Sequence, residues 1–150
     1  MALFLVRHAK AGSRQRWAGD DVLRPLSNRG ARQAKALVAL LEPYGVGNIR
    51  RVVSSPYVRC VETVTPLAEQ LGLKIEVVEE LAEGHGPEAL ALARSWLGEE
   101  VAACSHGDVV PFVVGQLVDD VPDPLPCAKG STWILKAAGE RVTGRHVPPA

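Results

Sequence analysis

The chain has 150 residues, 47% apolar and 23% charged, with 17 basic side chains balancing 17 acidic ones. A zero formal charge argues against general attraction to nucleic acid or membrane surfaces, and the length fits one domain, residues 1–150, able to bury a real core. Cys60, Cys104 and Cys127, an odd number with no CxxC pair, argue against a disulfide framework or zinc knot and for a reducing compartment.

Residues 2–6 read as a fully buried strand that stops at Arg7 and His8. That apolar run is too short for a secretory leader, and no run reaches the ~18 apolar residues of a membrane span, so a cytoplasmic protein is expected. A long polar loop follows. Ser27 is expected to cap a helix running to about Leu41, with Ala31, Ala34, Leu37, Val38 and Leu41 at helical spacing and Pro43 and Gly45 ending it.

Residues 49–55 form the second expected strand. Ser55 then Pro56 reads as an N-cap followed by proline at the first helical position, with Pro66 kinking the helix that follows. Cys60 falls on the apolar face of that helix and Cys104 in a later apolar strand, so both are expected in the core. A third strand covers 74–78, and an acidic loop, "EELAEGHG", follows it. A helix opens at Pro87 and runs to about 97. The fourth strand covers 101–105, a fourth helix 108–118, and a proline-rich loop comes next. Two closing strands, 131–136 and 141–146, flank a turn at Ala138-Gly139. Strands alternating with helices predict an α/β three-layer sandwich with a mostly parallel central sheet and helices on both faces.

Open α/β sheets bind ligands beyond the C-terminal ends of their strands. This chain places Arg7 and His8 after the first strand and Arg59 one helical turn beyond the second. Glu79, Glu80 and Glu83 follow the third, and His106, Gly107 and Asp108 the fourth. Two histidines, two arginines and a carboxylate match phosphoryl chemistry. A neutral imidazole can attack phosphorus, guanidinium forks hold the equatorial oxygens, and a carboxylic acid can protonate the leaving oxygen. The helix N-termini after His106 and Ser55 add positive potential. Lys10, Ser13, Arg24 and Lys129 are candidate substrate contacts, Trp17 a candidate stacking surface, and Asp20 and Asp21 candidates to orient Arg24 or cap a turn. "GHGPEA", residues 84–89, imitates a dinucleotide fingerprint, but "EELAE" separates it from its strand and Pro87 removes a backbone N–H. A cationic pocket disfavours a metal ion.

Five segments in order carry a family resemblance. "LVRHAK" resembles the RHG signature of the histidine phosphatase superfamily, with Ala9 in place of glycine. "RPLSNRGARQAKAL" resembles its PLTxxGxxQA helix and "SSPYVRCVET" its SSPxxRxxQT segment. "ELAE" resembles its LxE motif and "SHGD" its second HG motif. The resemblance implies a phosphoglycerate mutase-like fold. It implies His8 as the nucleophile, Arg7, Arg59 and His106 as the phosphate pocket, and Glu83 as the proton donor. Gly107, Arg24 and Lys10 join Arg7, Arg59 and His106 as expected substrate-binding residues. No metal or organic cofactor is implied.

The compact size and the RPL segment, Arg24 to Leu26, resemble the short SixA-type phosphohistidine phosphatases. "AGSRQRWAGDDVLRPL" and "KGSTWIL" also resemble the histidine-phosphatase domain of MutT-type Nudix proteins. The expected function is a metal-independent phosphatase with a phosphohistidine intermediate on His8. Its partner would be a phosphohistidine protein or a phosphorylated small molecule, with no nucleic acid or membrane. Alternatives are a nucleotide phosphatase, a phosphoglycerate mutase-like phosphotransferase and a non-catalytic phosphoryl-binding module. The sequence leaves the oligomeric state unread.

Overall fold

Alternation along the first strand sets the layering. The computed structural model describes residues 1–150. In β1 (Leu3–Arg7), Leu3 and Leu5 enter one core while Phe4 and Val6 enter the other, because successive side chains of a strand point to opposite faces. The first core is completed by α3 (Gly86–Trp96) and α4 (Val110–Leu117), through Ala89, Ala93, Trp96, Val110, Val113 and Val114. The second is completed by α1 (Asn28–Leu41) and α2 (Val58–Leu71), through Leu37, Leu41, Cys60, Val64 and Leu67. Truncating Phe4, which is fully buried, to Ala would cost about 3–5 kcal/mol.

The remaining strands are β2 (Arg51–Ser54), β3 (Ile75–Val77), β4 (Val101–Ser105), β5 (Thr132–Ala138) and β6 (Arg141–Val147). The sheet order is β3-β2-β4-β1-β5-β6. The first four strands are mutually parallel, and β5 runs antiparallel to both β1 and β6. Right-handed crossovers explain the two helical layers. The chain steps outward from β1 through β2 to β3, laying α1 and α2 on one face. It then reverses toward β4 and β5, laying α3 and α4 on the other. The reversal leaves the ends of β1 and β4 side by side.

Ser27 caps α1 as expected, its hydroxyl accepting from Gly30 N–H at 3.1 Å. Gly30 lets that helix press onto Lys10, because a Cβ there would overlap the Lys10 carbonyl. Gly45, with φ of 87°, ends the tight turn after α1. Both expected core cysteines are fully buried.

Some boundaries differ. Strand β2 is shorter than residues 49–55, since Arg50 and Arg51 N–H both donate to Glu100 O. Ser55 is not the N-cap of α2, which starts at Val58 after Tyr57. The Ser55 hydroxyl instead accepts from Tyr57 N–H and meets His106 Nε2. Helix α2 continues through Pro66 to Leu71. Helix α4 begins at Val110, not 108, because Asp108 turns its carboxylate to Gly84 N–H. The closing turn is Gly139-Glu140, one residue later than expected, with Ala138 paired to Arg141. No helix is long and apolar enough to cross a membrane.

Candidate active site

The ends of β1 and β4 open into a cleft of about 730 Å3. Of the sequence-predicted site residues, His8, Arg7, Glu83, Gly107, Arg24 and Lys10 line it. Arg59 and His106 lie behind it, 0% and 1% exposed.

His8 is held by its neighbours. Its backbone N–H donates to Ser105 O at 3.0 Å, tying the end of β1 to β4. Its Nδ1 lies 2.8 Å from Ala9 O. A carbonyl only accepts, so Nδ1 carries the proton. Burial pushes the imidazole pKa down to about 3, the Ala9 carbonyl opposes that, and the charges of His106, Arg59 and Arg7 add to it. A neutral ring with its proton on Nδ1 keeps a lone pair on Nε2, on a side chain that lines the cleft. The two next residues are fixed as well. Ala9 N–H donates to Thr63 Oγ1 at 2.9 Å, and Lys10 N–H to Gln33 Oε1 at 3.0 Å.

Arg7 donates from Nη1 to Cys127 O at 2.7 Å. Its guanidinium lies flat against Gly107, where a Cβ would stand 2.6 Å from Cζ. Arg59 is clamped harder. Nη1 donates to Asp21 O at 3.0 Å, and Nη2 donates to Asp21 Oδ2 at 3.2 Å and Glu83 Oε1 at 2.7 Å. Its Cζ sits 4.8 Å from the centroid of the Tyr57 ring. His106 lies against His8 with ring centroids 5.5 Å apart. Its Nε2 is 2.8 Å from Ser55 Oγ. Its Nδ1 faces the Glu83 carboxylate at 3.5 Å; a carboxylate only accepts, so Nδ1 is the N–H side of the ring and Nε2 takes the Ser55 hydroxyl proton.

Three donors are therefore unspent. Arg7 Nε, Arg59 Nε and His106 Nδ1 are buried without a hydrogen-bond partner. Buried polar groups are nearly always satisfied, so three such orphans around one nucleophile-grade imidazole mark a place built for oxyanion acceptors. Glu83 meets Arg59, Arg14 at 3.6 Å and His106 Nδ1 at 3.5 Å through Oε1 alone. Its Oε2 is free. No group of three or more His, Cys, Asp or Glu side chains is placed to hold a metal ion.

The start of α4 is tied back to the site. Val109 and Val110 N–H both donate to His106 O, so the leading amides of α4 anchor the histidine. The sequence also gave no sign of Asp21 as a clamp on Arg59, or of the Cys127 carbonyl on Arg7. These contacts join segments 38 and 120 residues apart and have no local signature. Asp20 and Asp21 do cap and orient as expected. Asp20 accepts from Val22 N–H, and Asp21 accepts from Arg24 Nε at 2.8 Å. Arg24 also holds Gly12 O, so it braces the loop. Trp17 is tied to Asp20 O.

Residues 3–90 match the histidine phosphatase superfamily (branch 1). Over 157 aligned residues the chain is 34% identical to an 8-oxo-(d)GTP phosphatase of Mycolicibacterium smegmatis (strain ATCC 700084 / mc(2)155), covering 98% of this chain and 48% of that relative. The chain thus spans about half that relative's length. Among solved structures, the protein histidine phosphatase SixA complexed with tungstate superposes with a TM-score of 0.83 at 23% identity, covering 98% of this chain and 96% of that one. The alpha-ribazole phosphatase from Shigella flexneri gives 0.74 at 15% identity, covering 98% and 96%. At these identities the superpositions speak for the fold, which is phosphoglycerate mutase-like, while the match over residues 3–90 speaks for the family. The chain belongs to the histidine phosphatase superfamily.

Proposed function

We propose that the chain hydrolyses phosphorylated substrates in two steps through a phosphohistidine on His8, without a metal ion. Three unspent donors around a neutral imidazole carry this reading. In the first step the Nε2 lone pair forms a bond to phosphorus while the phosphorus–leaving-group bond breaks. The leaving atom departs with the electron pair and takes a proton from Glu83 Oε2. Arg7, Arg59 and His106 neutralise the charge on the equatorial oxygens, which is where most of the catalysis of phosphoryl transfer lies. In the second step Glu83 takes a proton from water, whose oxygen attacks phosphorus. The P–N bond breaks, and its electron pair returns to Nε2.

The substrate is a phosphohistidine protein or a small phosphate ester. The relative that is 34% identical supports a second reading, a nucleotide phosphatase. Phosphate release with EDTA present tests both, for wild type and His8→Ala. The panel holds a phosphohistidine protein, nucleoside mono- and diphosphates, 3-phosphoglycerate and an aryl phosphate. Turnover that the variant loses supports the His8 mechanism, and the preferred substrate chooses between the readings. Phosphate binding with no release from any substrate would replace the enzyme by a phosphoryl-binding module.

A further inference from the structure

The cleft holds more positive charge than one phosphoryl group uses. Its lining includes Arg7, Lys10, Arg14, Arg24 and Lys129 against two carboxylates, Glu83 and Asp108, in a chain of zero formal charge. Three of these cations have occupations. Arg7 faces the transferred phosphoryl group. Arg24 is spent on Asp21 and Gly12 O. Arg14 leans on Asp21 at 3.9 Å and Glu83 at 3.6 Å.

Lys10 and Lys129 have no ion pair and no side-chain hydrogen bond, yet the backbone fixes where both begin. Lys10 follows His8 by two residues, and its carbonyl accepts from both Ser27 N–H and Ser27 Oγ. Lys129 precedes Gly130, whose N–H is shared between Arg7 O at 3.1 Å and His8 O at 3.0 Å. Two separate segments, one following β1 and one preceding β5, thus deliver an ammonium each to the mouth beside the nucleophile. Burial and then the charges of Arg7, Arg24, Lys10 and Arg14 push the Lys129 pKa down, so these cations do feel one another. Uncompensated like charge destabilises a fold unless something else uses it.

We propose that Lys10 and Lys129 form a second anion subsite, and that the substrate carries a second phosphoryl group joined by an anhydride to the one transferred to His8. This deepens the second, nucleotide reading of the phosphatase activity and rests on it. A monoester with an uncharged leaving group would leave both ammoniums without a partner. A diphosphate leaves its second phosphoryl group between them while the first engages Arg7, Arg59 and His106. The anhydride oxygen then departs on a phosphate, a leaving group that needs little help from Glu83.

Calorimetry on His8→Ala protein in EDTA, where no turnover intrudes, tests the subsite with inorganic phosphate and inorganic pyrophosphate as probes. Pyrophosphate is expected to bind about tenfold tighter or better, two partly exposed charge pairs being worth roughly that much. Adding Lys10→Gln and Lys129→Gln should collapse the ratio of the two affinities toward one, and each change alone should give part of the loss. Equal affinities, or a ratio the double change leaves alone, overturn the subsite but not the phosphatase reading. If neither anion binds, both fall. A melting curve of each variant, with and without pyrophosphate, gives a second readout, since a bound anion raises the midpoint.

Discussion

The back wall of the cleft and its rim are built on different terms. At the back, His8, Arg59 and His106 are 6%, 0% and 1% exposed and hang from the ends of β1 and β4 and the first turn of α2. Their neighbours fix tautomer, direction and charge in advance. At the rim, Lys10, Arg14 and Lys129 are exposed and stand on loops. The back wall can therefore set the chemistry, while the rim sets what else the substrate must carry. A preorganised, water-poor wall makes each charge worth more, and an exposed rim makes each worth less and salt-dependent.

Substitutions can break this division, beginning at the back wall. His8→Ala should abolish turnover, a loss of about ten-thousand-fold or more, as when a nucleophile is removed elsewhere. Arg59→Ala should cost both activity and about 3 kcal/mol of stability, since it strips Asp21 and Glu83 of their buried partner; the partial exposure of those carboxylates limits the figure. Arg59→Lys should not restore it, because one ammonium cannot span both carboxylates and the Asp21 carbonyl. Chemical denaturation and kcat/KM on the same preparations would check both.

Gly107→Ala sharpens the contrast because it moves one donor and leaves the fold. Its Cβ must displace the Arg7 guanidinium and with it the bond to Cys127 O, so kcat/KM should drop by about 10- to 100-fold with a much smaller loss of stability than Arg59→Ala. If activity holds, Arg7 is not a clamp on the phosphoryl group.

Acid stability reports on His8 itself. The unfolded chain binds a proton on this imidazole near pH 6.5, whereas the folded chain refuses it down to about 3. The unfolded state binds more protons in that window, so stability contributed by His8 is present above it and is lost as pH falls from about 6.5 toward 3. The slope is roughly 1.4 kcal/mol per pH unit. Denaturation of His8→Asn against wild type across this range should show a shallower decline. The smallest effect belongs to Asp21→Asn, which keeps the backbone carbonyl contact to Arg59 but weakens the ion pairs to Arg24 and Arg59: the loop should loosen and KM rise by about tenfold or less.

The sequence pointed to the residues of the back wall and to Lys10 and Lys129 at the rim, but not to the loop contacts that brace the site, for a physical reason. Strand β1 shows its burial by an unbroken apolar run, and the Arg7-His8 break marks where it meets solvent. Ser27, Gly30 and Gln33 carry recognisable spacing because each meets a backbone group near His8 through short, repeatable geometry. The clamp of Asp21 on Arg59 and the Cys127 carbonyl on Arg7 depend on how two long loops fold back, and residue spacing does not encode that path. Ser55 shows the reverse error. It has the look of a helix cap, but tertiary contact with His106 claimed its hydroxyl.

The most direct test of the central claim is to quench the enzyme during turnover of a labelled substrate in EDTA and map the bound phosphate. The expected result is a phosphate stable to base and labile to acid on the peptide containing His8, absent from His8→Ala. Turnover by wild type with no such phosphoenzyme, and with His8→Ala equally active, would contradict it.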